Sequence, residues 1–265
     1  VVYSALFRTE SAIDTILWSI VIATVAGGAL SLLVAASVTL ALVGPWVERL
    51  VGYAVGVLLG AAFLDLLPEA FSGEAGPEAL FAVLLATLIA FFALEKLALW
   101  RHAHPHPDGS PASHDDGASG ALILLGDAVH NFVDGVLIAA AFLADPWVGI
   151  ATTGAVVAHE IPQELGDFVV LLNAGFSRRS ALAWNLLSST TSVAGGLLGY
   201  FLLGSAKAVV PYVLVVAAGS FIYVAIADLM PQLQRRWDAK AAVFQFGLMG
   251  AGVGSIEVMH RWLGH

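Results

Sequence analysis

The chain has 265 residues, of which 59% are hydrophobic and 12% charged, with a mean hydropathy of +0.87 and a formal charge of -9. That composition excludes a water-soluble domain for most of the length, and the negative balance excludes nucleic acid as a partner and favours cationic ligands. Cysteine is absent, so any bound metal has to be held by His, carboxylate, Asn, Gln or water.

Apolar windows of about 20 residues, the length needed to cross a hydrocarbon core of about 30 Å, recur along the chain. They predict an all-α integral membrane protein with eight transmembrane helices at about 15–43, 51–71, 78–100, 120–143, 147–172, 180–203, 208–230 and 241–263. Helices satisfy their own backbone groups in lipid, so a bundle follows. The breaks, at Gly44-Pro45, 73–77, Asp145-Pro146, Arg178-Arg179 and Arg235-Arg236, are too short for a second domain, so 1–265 reads as one transmembrane unit.

The second span carries Asp65 in Asp65-Leu66-Leu67-Pro68-Glu69. Between the third and fourth spans lies the one long polar stretch, 101–120, with His102, His104, His106 and His114 among Pro, Asp, Ser and Gly. It cannot bury a core, and is expected to be a disordered cytoplasmic loop that either holds metal loosely or is simply a solvated linker. The fourth span holds Asp127, His130, Asn131 and Asp134, with His130 and Asp134 on one helical face. The fifth holds His159, then Glu160, Gln163, Glu164 and Asp167 in a single polar stripe, with Pro162 expected to kink it. Imidazole and carboxylate at these spacings form a shell for Zn²⁺ or a similar ion, with Cd²⁺, Fe²⁺ or Mn²⁺ as alternatives. Near the end of the seventh span, Asp228-Leu229-Met230-Pro231-Gln232 echoes the Asp65 segment, as an inverted repeat would.

The spans contain Asp and Glu but no Lys or Arg away from their ends, and each buried carboxylate is costly unless neutralised. A passing metal ion or proton is therefore the expected partner, although Glu69, Asp228 and Glu257 are as readily neutral or at the headgroups. Orientation follows from the basic residues. With the N-terminus outside, the inner side holds Arg49, Lys96, Arg101, Arg178, Arg179, Arg235, Arg236 and Lys240, and the outer side Arg8, Lys207 and Arg261. This asymmetry predicts both termini outside.

His130-Asn131-Phe132-Val133-Asp134-Gly135 followed by His159-Glu160-Ile161-Pro162-Gln163-Glu164-Leu165-Gly166-Asp167 resembles the paired signature of the ZIP family of zinc and iron transporters, closest to its HEXPHELGD subgroup. The resemblance spans the chain and implies a 3+2+3 helix arrangement and an elevator-type motion. It also implies one or two metals between the fourth and fifth helices, a plasma-membrane location (the inner membrane in a bacterium) and often a homodimer. Carried over by position, the metal residues are His130, Asn131, Asp134, His159, Glu160 and Gln163. Three positions depart from the pattern: Gln163 stands for a His or Glu, Asp65 for the His of the second-helix motif, and Ser188 to Ser192 for a sixth-helix carboxylate.

The expected function is zinc import by alternating access, with Asp65 on the outer side and Glu164, Asp167, Asp127 and Asp228 on the way to the cytoplasm. An intramembrane protease is the enzymatic alternative, but His159-Glu160-x-x-Gln163 is one ligand short of H-E-x-x-H, so no enzyme is expected. A carrier whose carboxylates relay protons for another substrate is the other alternative.

Overall fold

The computed structural model describes residues 2–40, 44–102, 116–173, 175–234 and 239–263, and every regular element among them is helical. In chain order these are α1 (Val2–Leu40), α2 (Gly44–Gly60), a π-helical turn (Ala61–Leu66), α3 (Leu67–Ser72), α4 (Pro77–His102), α5 (Asp116–Ala144) and α6 (Pro146–Asn173). There follow α7 (Arg178–Ser189), α8 (Thr191–Ser205), a 3-10 turn (Lys207–Val209), α9 (Val210–Tyr223), a second π-helical turn (Val224–Leu229), α10 (Met230–Leu233) and α11 (Ala239–Leu263).

Six helical stretches among the described residues are long and apolar enough to cross a membrane: Thr15–Leu33, Leu50–Ser72, Leu124–Ala144, Arg178–Ser205, Lys207–Ala227 and Ala239–Met259. A shorter apolar stretch covers Pro77–Ala93. The 28-residue α6 has the length, but His159, Glu160, Gln163, Glu164 and Asp167 interrupt its apolar character. At 29 residues, α5 is about 44 Å long, more than a hydrocarbon core requires.

Several expected boundaries move. Helix α1 begins at Val2 rather than near residue 15, and α4 and α5 run into the expected 101–120 loop as far as His102 and back to Asp116. Residues 103–115, with His104, His106 and His114, lie outside the described residues. The expected spans 51–71, 180–203 and 208–230 are each interrupted rather than regular. At 180–203 the break is Thr190, inside a run of hydroxyl side chains that bond back to their own helix. Ser189 donates to the Asn185 carbonyl, Thr190 to Leu187, Thr191 to Ser188 and Ser192 to Ser189. Such back-bonding competes with the helical ladder.

The other two interruptions are the π turns, and they explain the sequence echo. Each is six residues long, with Asp at the fifth position and Pro two residues after its end: Asp65 and Pro68, Asp228 and Pro231. Proline supplies no N–H and clashes with the carbonyl four residues before it. The ladder widens ahead of it, so that the N–H of Leu67 reaches Ala62 and that of Met230 reaches Ala225, five residues back.

Helices α2, α5 and α9 form the interior, while α1 and α11 are the most exposed. Two pairs are held by glycines. A Cβ at Gly135 of α5 would overlap the Ser192 carbonyl, and one at Gly195 of α8 the Phe132 carbonyl. Likewise, Gly56 of α2 and Gly252 of α11 face the main chain of Met249 and Tyr53. Between apolar helices in lipid, close backbone approach of this kind replaces the hydrophobic effect as the source of association. The α5–α8 contact matters for function because His130, Asn131 and Asp134 lie along the same part of α5.

Candidate metal centre

Helices α5 and α6 are joined by the single residue Asp145, whose carboxylate accepts from the N–H groups of Trp147 and Val148 and caps the start of α6. The helices therefore run antiparallel, and the middle of one faces the middle of the other. His130 and Asp134 of α5 meet His159 and Glu160 of α6, with one donor atom from each lying within 4.8 Å of all the others. The two histidine Nε2 atoms are 3.2 Å apart. Asp134 Oδ2 is 3.6 Å from His130 Nε2 and 3.2 Å from His159 Nε2, and Glu160 Oε1 is 3.6 and 3.7 Å from the same atoms. Four ligands on a tetrahedral ion with bonds of about 2.0–2.1 Å would stand about 3.3 Å from one another. The donor spacing therefore fits a small four-coordinate cation.

The surroundings favour the same conclusion. Asp134, His159 and Glu160 are at most 3% exposed, and Asp134 Oδ2 and Glu160 Oε1 accept no hydrogen bond. Two buried carboxylate oxygens left so would cost several kcal/mol, roughly 2.5–3.5 kcal/mol per charged group even on lenient insertion scales, without a cation between them. His159 Nδ1 lies 3.0 Å from the Ala155 carbonyl, which can only accept. The ring proton therefore sits on Nδ1, and the Nε2 lone pair faces the cluster. The buried Phe221 of α9 stands 5.7 Å from the His159 ring and closes that side with an apolar wall. Pro162 lies inside α6, which continues to Asn173.

Of the remaining candidates, Asn131 and Gln163 adjoin these donors along α5 and α6, and the carboxylates Asp65, Asp127, Glu164 and Asp167 lie outside the four-donor group. Asn131 is buried, but its Nδ2 donates to the carboxylate of Asp127 at 3.0 Å and to its carbonyl at 3.2 Å, so it links the cluster to Asp127. Gln163 is half-buried one turn beyond His159. The hydroxyl of Ser192, buried beside Gly135, is turned onto its own helix. Asp65 is buried in the first π turn, and Asp228 falls in the second. Asp127 and Glu164 are buried and Asp167 half-buried, all displaced toward the end of the bundle where α5 begins and α6 finishes. That end is shaped by Gly175, whose positive φ of 85° lets the N–H of Phe176 reach the Leu171 carbonyl, and by Ser177, which caps α7.

Three residues were not anticipated as site residues. Ser188 donates to Asp127 Oδ2, Ser189 to Glu164 Oε1 at 2.6 Å, and the Asn185 amide to the Glu164 carbonyl at 3.3 Å. The signal for them was present. Asn185, Ser188, Ser189 and Ser192 lie at i, i+3, i+4 and i+7, a polar stripe on helical spacing, and all four are buried.

Comparison with known proteins agrees with the motif. The sequence model of the ZIP zinc transporter family matches residues 101–260. Zinc transporter ZIP13 of Pongo abelii is 35% identical over 229 residues, covering 79% of this chain and 66% of that protein. Human ZIP13 is 32% identical over 263 residues, covering 79% and 70%. Human zinc transporter ZIP4 is 45% identical over 119 residues, covering 45% of this chain but only 18% of its own length. The chain thus spans most of ZIP13 and a small part of the longer relatives. With the family model covering more than half its residues and the likeness to ZIP13 running through most of its length, the chain belongs to the ZIP family.

Proposed function

We propose that the chain carries a divalent transition metal, zinc before others, across the membrane into the cytoplasm by alternating access. The observation that carries this reading is the convergence of His130, Asp134, His159 and Glu160 on one small volume between α5 and α6. Relatives named as zinc transporters supply the choice of ion. The ion passes Asp65 from the outer side, exchanges water for the four donors, and leaves past Asp127, Glu164 and Asp167 and the Asp228 segment. Two dications side by side in a low-dielectric site repel strongly unless several carboxylates bridge them. Gln163 is neutral and Ser192 stands in the sixth span, so one ion is held firmly. Protease chemistry finds no support, since the third ligand of that motif is absent at Gln163.

Zinc uptake by the purified protein in liposomes, with Cd²⁺, Fe²⁺ and Mn²⁺ as competitors, tests the transport reading. Saturable zinc flux with competition by Cd²⁺ is expected, and flux of protons without metal would favour the proton-relay alternative. Direction is tested separately. Because the chain has no native cysteine, single cysteines can be placed at Ser110 and Ser205 without background labelling. An impermeant thiol reagent on intact cells should label position 205 and spare 110, and the opposite pattern would reverse the orientation. The histidines of the 101–120 stretch are proposed to be accessory, because a solvated ligand run loses ordering entropy on binding.

A further inference from the structure

One helical turn from the His130 cluster lies a second polar assembly with different chemistry. Asp127 is four residues before Asn131 on α5, and Glu164 is four residues after Glu160 on α6. In antiparallel helices both steps lead the same way, about 6 Å toward the end of the bundle where α5 begins and α6 finishes. There the end of α7 wedges against both helices. The adjacent Ser188 and Ser189 hold one carboxylate each, Asp127 and Glu164 respectively. Both hydroxyls also lie 2.9 Å from the Asn185 carbonyl. Glu164, Asn185, Ser188 and Ser189 are at most 4% exposed and Asp127 is 5% exposed.

Two atoms in this assembly are orphans. Glu164 Oε2 and the side-chain oxygen of Asn185 are buried and accept no hydrogen bond, although both residues are only 1% exposed. Among the described residues no Lys or Arg pairs with Asp127 or Glu164. Unsatisfied acceptors on α6 and α7 beside two buried carboxylates, with no Lys or Arg among the described residues to meet them, ask for a positive charge. Each serine proton can turn to the Asn185 carbonyl, which frees the hydroxyl and carboxylate oxygens from one another to accept a cation.

We infer that Asp127, Glu164, Asn185, Ser188 and Ser189 form a second cation site, made only of oxygen donors, that takes a hard divalent cation such as Mn²⁺ and receives the transported ion after the His130 cluster. The inference rests on the transport reading and adds to it a discrete resting place with its own donor set. Oxygen-only ligation prefers harder ions than the imidazole-containing cluster, so the two sites divide cations by chemistry. Each pairs one dication with two carboxylates, so neither occupied site leaves a net charge to repel the other.

Mn²⁺ spin resonance on the full-length protein in lipid nanodiscs tests this. The protein is first loaded with one equivalent of zinc, which fills the imidazole-containing cluster and leaves the oxygen site open, and Mn²⁺ is then added in excess. The expected result is a single bound Mn²⁺ per chain whose electron-spin-echo signal lacks nitrogen modulation. Glu164→Gln, and separately the pair Ser188→Ala and Ser189→Ala, should lose it. Zinc-loaded wild-type protein that binds no Mn²⁺, a bound Mn²⁺ with imidazole modulation, or retention of the signal in Glu164→Gln would each overturn the second site. Failure of the wild-type protein to bind zinc would instead overturn the transport reading, so the two outcomes are separable. Size-exclusion behaviour of each variant distinguishes loss of the site from loss of the fold.

Discussion

Replacing His130 or Glu160 with alanine is expected to abolish high-affinity metal binding and, with it, transport. His130 Nε2 lies 3.2–3.6 Å from the three other donors, so its loss removes one corner of the shell. Glu160 supplies half of the charge that offsets a dication at a site where Asp134, His159 and Glu160 itself are at most 3% exposed, and its removal leaves Asp134 alone to do so. Losing one first ligand should weaken binding by about a hundredfold or more, about 3 kcal/mol. Gln163→Ala, by contrast, removes a neutral group that supplies none of the offsetting charge and should change the ranking of zinc against Cd²⁺ or Mn²⁺ more than the zinc affinity itself. Calorimetric titration of the purified variants checks both. Wild-type affinity in His130→Ala would show that the cluster is not the binding site.

The second large effect concerns the scaffold. Gly135→Ala and Gly195→Ala each add only one carbon, yet that carbon would overlap a backbone carbonyl, of Ser192 and of Phe132 respectively. A flexible side chain can move aside, but two helical backbones cannot without separating α5 from α8. Overpacking an interior usually costs about 1–3 kcal/mol, and overlap with main chain belongs at or above the top of that range. Gly154→Ala on α6, where nothing lies within 4 Å of an added Cβ, is the matched control. Thermal unfolding in detergent should show a drop of several degrees for the first two variants and little change for the third. Equal melting temperatures across the three would mean that α5 and α8 do not meet through these glycines.

The chemistry of the candidate centre was legible because it conflicts with its surroundings. Histidine beside carboxylate in the middle of an apolar helix has few inexpensive explanations, and the spacings of His130 to Asp134 and of His159 to Glu160 place the donors without any knowledge of the fold. The Asn185, Ser188 and Ser189 contacts were harder to read. Hydroxyls in apolar helices commonly bond to their own backbone, as Ser192 and Thr190 do, and nothing local separates those from the two that reach Asp127 and Glu164. Asn131 reads as a ligand by position, and its amide N–H also donates to Asp127, a contact of rotamer and neighbour rather than of sequence. The π turns were hidden by the assumption of a 3.6-residue period. Their cause, Pro68 and Pro231 two residues downstream, was already visible in the echo between the two segments. All-helical architecture followed from apolar length alone, since lipid leaves the backbone no other partner. The number and tilt of crossings depend on packing that composition does not encode.

Anomalous scattering at the zinc edge, on crystals of the full-length protein grown with zinc, tests the central claim most directly. One strong peak is expected between His130, Asp134, His159 and Glu160, with the two imidazole Nε2 atoms and two carboxylate oxygens as its nearest neighbours. Two peaks of equal full occupancy within the cluster of His130, Asp134, His159 and Glu160 would contradict the single-ion account there, and a protein that carries zinc with no peak among these four residues would contradict the site itself.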